Sequence, residues 1–218
     1  MFKEFERIDH MIVHVACVTR NRSISVSTLH TLLSISTFAY TRGHQLEIHF
    51  VNGTRHLPRL VKIADRLLWI EYGRSLDVDS FERIFDTQMR SDILVFPAVT
   101  GEVRWDKFKD GVLAGSVEPI EQMGLVFDTT VDNKISDGFY TVKHTVPSIF
   151  LVDCKNVDRK MRSKKGFKIP RDTDLIFEKF KEIGVKVFAW TPARVTIMET
   201  YECVGNIMNT PLVSFSPN

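Results

Sequence analysis

The residues best suited to chemistry are three carboxylates, Glu71, Asp77 and Asp79, inside the stretch RLLWIEYGRSLDVDSFERIF (66–85). That stretch opens as a buried strand, Leu67 to Ile70, and closes as a helix from Phe81 to Phe85. The acids therefore collect where the chain leaves a sheet, and in open α/β sheets ligands bind beyond the carboxyl ends of the strands. Asp77-Val78-Asp79 sets two carboxylates one residue apart, a spacing at which both can reach one hard divalent cation or its waters. A cation held there could bridge the two phosphates of a nucleoside diphosphate and stabilise its charge as it departs. The same Asp-x-Asp-Ser is also a good helix start, with side-chain caps and acids favoured by the helix dipole. Residue types alone leave both readings open.

Other familiar chemistries are missing from the pattern. No GxGxxG follows the first strand and no GxxxxGK[ST] occurs, so the dinucleotide and P-loop readings fail. No HExxH occurs among the seven histidines, so no zinc site is indicated. Cys17, Cys154 and Cys203 are widely separated and read as buried, reduced thiols. The formal net charge of +2 over 218 residues gives no strong field, so attraction to nucleic acid or an anionic membrane is not implied. No apolar stretch approaches the ~20 residues of a membrane span, and the first residues read as a strand instead of a signal peptide. A soluble, cytoplasmic protein is expected.

The elements that must position the carboxylates follow from periodicity. MIVHVACV (11–18) is a buried strand, residues 24–40 keep helical spacing behind Ser23 or Ser25 as cap, and LEIHFVNG (46–53) alternates as a second strand. This β-α-β opening calls for a parallel sheet. Residues 54–66 form a short helix broken by Pro58; a strand follows at 67–72, a helix at 80–89 and a strand at 91–99. Residues 100–135 look irregular, with short strands at 111–117 and 124–127. GFYTVKHTVPSIFLVD (138–153) is a strand followed by a short helix or second strand. The basic run 155–168 reads as a mobile loop: solvated, a lid over the site, or a nucleic-acid contact that lacks the interleaved aromatics such binding favours. Residues 171–184 are a capped amphipathic helix and 185–190 a strand. The chain reads as one domain over 1–218, its polar ending NTPLVSFSPN serving equally well as a linker from the N-terminal domain of a longer protein.

These motifs together resemble the GT-A class of nucleotide-sugar glycosyltransferases, and most closely the small glycosyltransferase domains that chlorella viruses encode to decorate their capsid protein. The resemblance runs through HVACVTRNR, RLLWIEYGRSLDVDS, SDILVFPAVTGEVRWDKF, DGFYTVKHTV and RDTDLIFEKFKEIGVKVFAW, in family order. It implies an α/β, Rossmann-like single domain with a mixed central sheet flanked by helices. It implies a UDP-sugar donor, a glycan or glycoprotein acceptor, Mn²⁺ or Mg²⁺ as cofactor, no nucleic acid partner, no membrane span, and residence in the host cytoplasm. By resemblance, Thr19, Arg20 and Arg22 meet the uridine and phosphates, and Asp137 holds sugar hydroxyls beside Gly138. Asp77 and Asp79 hold the metal with Glu71 in reserve, and Asp174, or the neighbouring Asp172, is the base that takes the acceptor's proton. Relatives end the strand with an acidic pair where this chain reads Ile70-Glu71-Tyr72-Gly73. Trp105 and Trp190 are candidates for stacking on a sugar face or for the core. Two rivals stand beside this reading: a sugar nucleotidyltransferase, and a degenerate module that binds glycan or partner proteins without turnover.

Overall fold

The computed structural model describes residues 12–88, 91–116, 123–170 and 173–198. The chain opens with strand β1 (Ile12–Val18), helix α1 (Val26–Thr41) and strand β2 (Gln45–Val51). Ser25 caps α1 by accepting from the Thr28 amide at 3.2 Å. A 3-10 turn (Thr54–His56) leads into α2 (Leu57–Ile63), where Pro58 occupies the first turn and starts the helix rather than breaking it. Then come β3 (Arg66–Ile70), β4 (Arg74–Leu76), α3 (Phe81–Phe85), β5 (Ile93–Val95), β6 (Val99–Val103) and α4 (Trp105–Leu113). The remainder is β7 (Leu125–Phe127), β8 (Thr129–Ser136), β9 (Phe139–Thr145), β10 (Ile149–Asp153), α5 (Cys154–Ser163), α6 (Thr173–Glu182), β11 (Val187–Trp190) and β12 (Val195–Ile197).

Eight strands form one mixed sheet in the order β2-β1-β3-β10-β5-β11-β9-β8. β1 is parallel to both β2 and β3, and β11 is parallel to β5. β10 runs antiparallel between β3 and β5, so those two point the same way. Helices cover both faces. Leu60, Val61, Val157, Phe177 and Phe180 of α2, α5 and α6 pack on one, against Ala16, Leu67, Trp69 and Val152. Leu32, Ile35, Phe81 and Ile84 of α1 and α3 pack on the other, against Val13, Val15, Leu68 and Ile70. Strict alternation along β1 and β3 feeds both layers, which is why β3 reads as a continuous apolar run. The α/β class, the mixed central sheet and the flanking helices are as the sequence implies.

Two further segments differ from expectation. Residues 105–113, placed in an irregular region with a strand expected from 111, form α4, whose side chains from Trp105 to Leu113 are largely exposed. Most of the basic run, residues 155–163, is the helix α5 and not a mobile loop. Cys154, Val157 and Met161 supply an apolar stripe facing the core, and the Asp153 side chain caps the helix by accepting from the Asn156 amide at 3.1 Å. Its cations have local counter-charges: Lys155 meets Asp65 at 2.9 Å, Lys160 meets Asp92 at 2.5 Å and Arg162 meets Asp158 at 2.7 Å. The apolar stripe is only three residues wide among many charges, so composition hid it. Cys17 and Cys154 are buried thiols, as expected, and burial beside Glu71 pushes the Cys17 thiol up to about 11. Cys203 lies outside the described residues.

Asp153→Ala should remove the α5 cap and destabilise the protein by ~1 kcal/mol, measured by urea unfolding. Amides of 157–163 should exchange slowly with solvent in the parent chain, as a hydrogen-bonded helix requires and a loop would not.

Candidate functional site

The segments leaving β1 and β2 diverge, one to α1 on one face of the sheet and the other to α2 on the opposite face. A crevice opens wherever neighbouring strands do this, and it is where open α/β sheets bind ligands. Here it is a groove of about 460 Å³ lined by Thr19, Asn21, Arg22, Phe50, Asn52, Arg55 and His56, among others. Its β1 side is a tight turn closed by paired backbone bonds between Arg20 and Ser23, at 2.8 and 3.2 Å. Both central residues, Asn21 and Arg22, have positive φ, at 49° and 60°. Asn tolerates that region; Arg does not favour it, and such strain concentrates at ligand sites. On the β2 side, Asn52 Oδ1 accepts from Arg55 Nε at 3.0 Å and lies 2.9 Å from His56 Nε2. Phe50 stands 63% exposed on the strand before them. The groove thus combines an aromatic face, amide and imidazole hydrogen-bonding groups, and two guanidinium groups.

Glu71 follows β3 at the same edge. Its Oε1 accepts from Trp69 Nε1 at 2.8 Å, and its backbone amide donates to Ser148 O at 2.9 Å. Burial pushes the Glu71 carboxyl above the usual carboxylate range, against the lowering effects of the Trp69 bond and the Arg20 and Arg74 charges. Arg20 also lies over the Tyr72 ring, 5.3 Å from its centroid. The ends of β1 and β3 are therefore joined by an arginine, an aromatic ring and a carboxylate.

Asp77 and Asp79 are arranged differently. Asp77 Oδ1 accepts from Ser80 Oγ at 2.6 Å and from the Arg194 amide at 2.9 Å. It thereby ties the 3-10 turn Val78–Ser80 to the β12 side of the β4–β12 pair. Asp79 is exposed in that turn. Of the two sequence readings, the bonds of Asp77 are those of a turn-closing acid. Among the described residues, Glu71, Asp77 and Asp79 do not form a convergent three-ligand group. Glu71 and Asp77 each commit one carboxylate oxygen to protein donors.

The remaining sequence candidates lie elsewhere. Asp137 and Gly138 form the β8–β9 turn, where exposed Asp137 pairs with Lys134 at 3.2 Å. Gly138 has φ +73°, and a Cβ there would come within 2.6 Å of the Trp190 ring and 2.8 Å of Pro192. Its close approach is to the protein's own chain. Asp174 is exposed in the first turn of α6, and Asp172 lies outside the described residues. Trp105 is exposed on α4, while Trp190 packs against Phe139 at 4.6 Å beneath the Arg83 guanidinium. A separate cavity of about 250 Å³, lined by Arg83, Asp86, Leu94, Phe139 and Phe188 among others, includes none of the strand-end loop residues.

One acid escaped the sequence reading. Asp128 Oδ1 accepts from the Ala98 amide at 3.0 Å and Oδ2 from the Ser148 amide at 3.2 Å. It locks the segment after β5 to the start of β10, next to Glu71, and burial pushes its carboxyl up. Phe50, Asn52, Arg55 and His56 were also missed. Asn52-Gly53 marked only a strand end, and nothing local signals that the following turn folds back toward the β1 loop.

No protein-family model matches the chain, and no curated protein does. Among solved structures the chain superposes on A197 from STIV with a TM-score of 0.49 and 11% identity, covering 87% of each chain. Against the inositol-1-phosphate CTP transferase from T. maritima the TM-score is 0.46 at 9% identity, over 91% of this chain and 95% of that one. A glycosyltransferase involved in the glycosylation of the major capsid of PBCV-1 gives 0.40 at 8% identity, over 84% and 82%. Likeness at this level carries no argument about substrate or mechanism.

Two outcomes test the geometry. Glu71→Gln should raise the melting temperature near neutral pH. The parent carboxyl has a raised folded-state pKa, so its contribution is most favourable in acid and is lost as pH rises through that pKa. The gain should accordingly vanish on acidification, as followed by thermal melts across pH. Asp77→Ala should cost about 1–3 kcal/mol in urea unfolding, because the Arg194 amide and Ser80 hydroxyl lose their acceptor.

Proposed function

We propose that the protein is a glycosyltransferase that takes a nucleotide sugar, UDP-linked, in the crevice between the loops after β1 and β2. The observation that carries this reading is the groove itself, an exposed Phe50 opposite a strained Asn21-Arg22 turn, with Asn52, Arg55 and His56 around it. In this reading the base stacks on Phe50, Asn52 and His56 bond the base or ribose, and Thr19 lines the pocket floor. Arg20, Arg22 and Arg55 face the diphosphate, since planar guanidinium groups suit phosphate oxygens. Their charge stabilises the UDP that leaves as the acceptor hydroxyl of a glycan or glycoprotein bonds to the anomeric carbon. Asp174, exposed on α6, is kept as the base that receives the hydroxyl proton.

Glu71 is the residue that would hold Mn²⁺ or Mg²⁺, with Asp79 the second carboxylate on the same connection. A cation bound there would supply further positive charge to the diphosphate. Arg20 and Arg74 beside Glu71 already supply part of that charge.

A second reading, a nucleotide- or glycan-binding module without turnover, is favoured by one observation: Asp77 Oδ1 is held by Ser80 and Arg194. Calorimetry with UDP, GDP and CMP, each with and without Mn²⁺, separates the possibilities. UDP should bind best, and Arg55→Ala should weaken it about 10- to 100-fold, the worth of a charge-assisted hydrogen bond. Hydrolysis or transfer from a UDP-sugar distinguishes the enzyme from the binding module. Absence of binding to any nucleotide would overturn the crevice assignment.

A further inference from the structure

Three ligand-bearing side chains converge away from the strand-end site. His14 lies in the first half of β1, on the face that carries Ala16 and Val18 toward α2. Glu47 and His49 lie on β2, in register with His14 and Ala16. Since alternate residues share a face, the parallel pairing brings all three to one side of the sheet. His14 Nδ1 is 2.8 Å from His49 Nε2, and the Glu47 Oε2 atom is 3.6 Å from the first and 3.9 Å from the second. The two rings are nearly parallel and meet edge to edge, with centroids 5.1 Å apart and an interplanar angle of 5°.

We infer that His14, Glu47 and His49 form a binding site for a divalent cation of the zinc class. The point equidistant from the three donor atoms lies about 2.0 Å from each of them, which matches zinc–imidazole and zinc–carboxylate bond lengths. Among the described residues this is the group of three whose donor atoms meet so closely. Two imidazole nitrogens select a borderline-soft ion such as Zn²⁺, Ni²⁺ or Cu²⁺ over Mg²⁺ or Ca²⁺. The bare pair is satisfied by one N–H donated between the rings. Binding requires that this proton move to the other nitrogen of the same imidazole and that both rings turn, so that lone pairs now facing each other point to the ion. His14 is almost buried, at 8% side-chain exposure, while Glu47 is 58% exposed, so a fourth coordination position opens to solvent. Arg59 on α2 acts on His49 from nearby and sets a positive charge against the cation. The Glu47 carboxylate offsets it. Two strands, one of them the sheet edge, are thus joined by side chains as well as by their backbone ladder.

The site is independent of the nucleotide crevice, and its test uses different readouts. The chelator-treated full chain is titrated with ZnCl₂ by calorimetry and melted with and without the metal. One equivalent should bind and raise the melting temperature, while MgCl₂ should neither bind there nor compete. His49→Ala and Glu47→Gln should each weaken zinc at least about 100-fold, since loss of even an outer partner of a metal ligand costs 10- to 100-fold. Both positions are partly exposed on an edge strand, and circular dichroism checks that each variant folds. His144→Ala, on β9 beyond the opposite half of the sheet, should leave zinc affinity unchanged. Failure of zinc to bind would overturn the assignment, as would zinc binding that both variants leave intact.

Discussion

The hydrogen bond from Trp69 Nε1 to Glu71 Oε1 sits at the junction of the fold and the candidate chemistry. Trp69 is fully buried and stacks on Phe150 at 5.9 Å, so its ring cannot be displaced without opening the layer under α2, α5 and α6. An indole N–H buried in such a layer needs an acceptor, and the first available oxygen is two residues on, where the strand leaves the core. The sheet thus holds a carboxylate at its rim in partly desolvated surroundings. Arg20 and Arg74 then lie close enough to act on it, and Ser148, held by Asp128, fixes the backbone. Acids collect after this strand because core packing and strand-end electrostatics both use them.

The two helical layers set where a ligand can go. α1 and α2 must lie on opposite faces, because the strict alternation of β1 and β3 leaves apolar surface on both. That forces the chain after β1 and the chain after β2 apart, and the groove is the gap between them. Its left-handed Arg22 is a local cost that core packing does not require. The opposite ends of the strands are built otherwise: there Asp92, just before β5, accepts from Lys160 and from the Lys186 amide, and the charges satisfy one another.

Legibility differed between strands and site. The β-branched run IVHVACV and the apolar run RLLWI located the first and third strands to within a residue or two. The helices after Ser25 and before Gly184 were equally plain. The basic segment was misread because its stripe of Cys154, Val157 and Met161 is narrow, and the aspartates that neutralise it, Asp65 and Asp92, are remote in sequence. Gly138 was noted as the neighbour of Asp137, and its missing Cβ makes room for Trp190 and Pro192. Asp77-Val78-Asp79 suggested a cation pair or a helix cap, and the partner amide that Asp77 uses belongs to Arg194, on the far side of the chain.

By itself the sequence determined the α/β class, the parallel opening unit, the buried thiols and the accumulation of acids after β3. These follow from periods of two and 3.6 residues and from residue type, which are local properties. The tertiary structure alone decided which acids face donors, which loops share a groove, and that His14 and His49 meet across a strand pair. Motif spacing cannot anticipate such meetings. They depend on strand register, and register is fixed by packing both faces of the sheet at once.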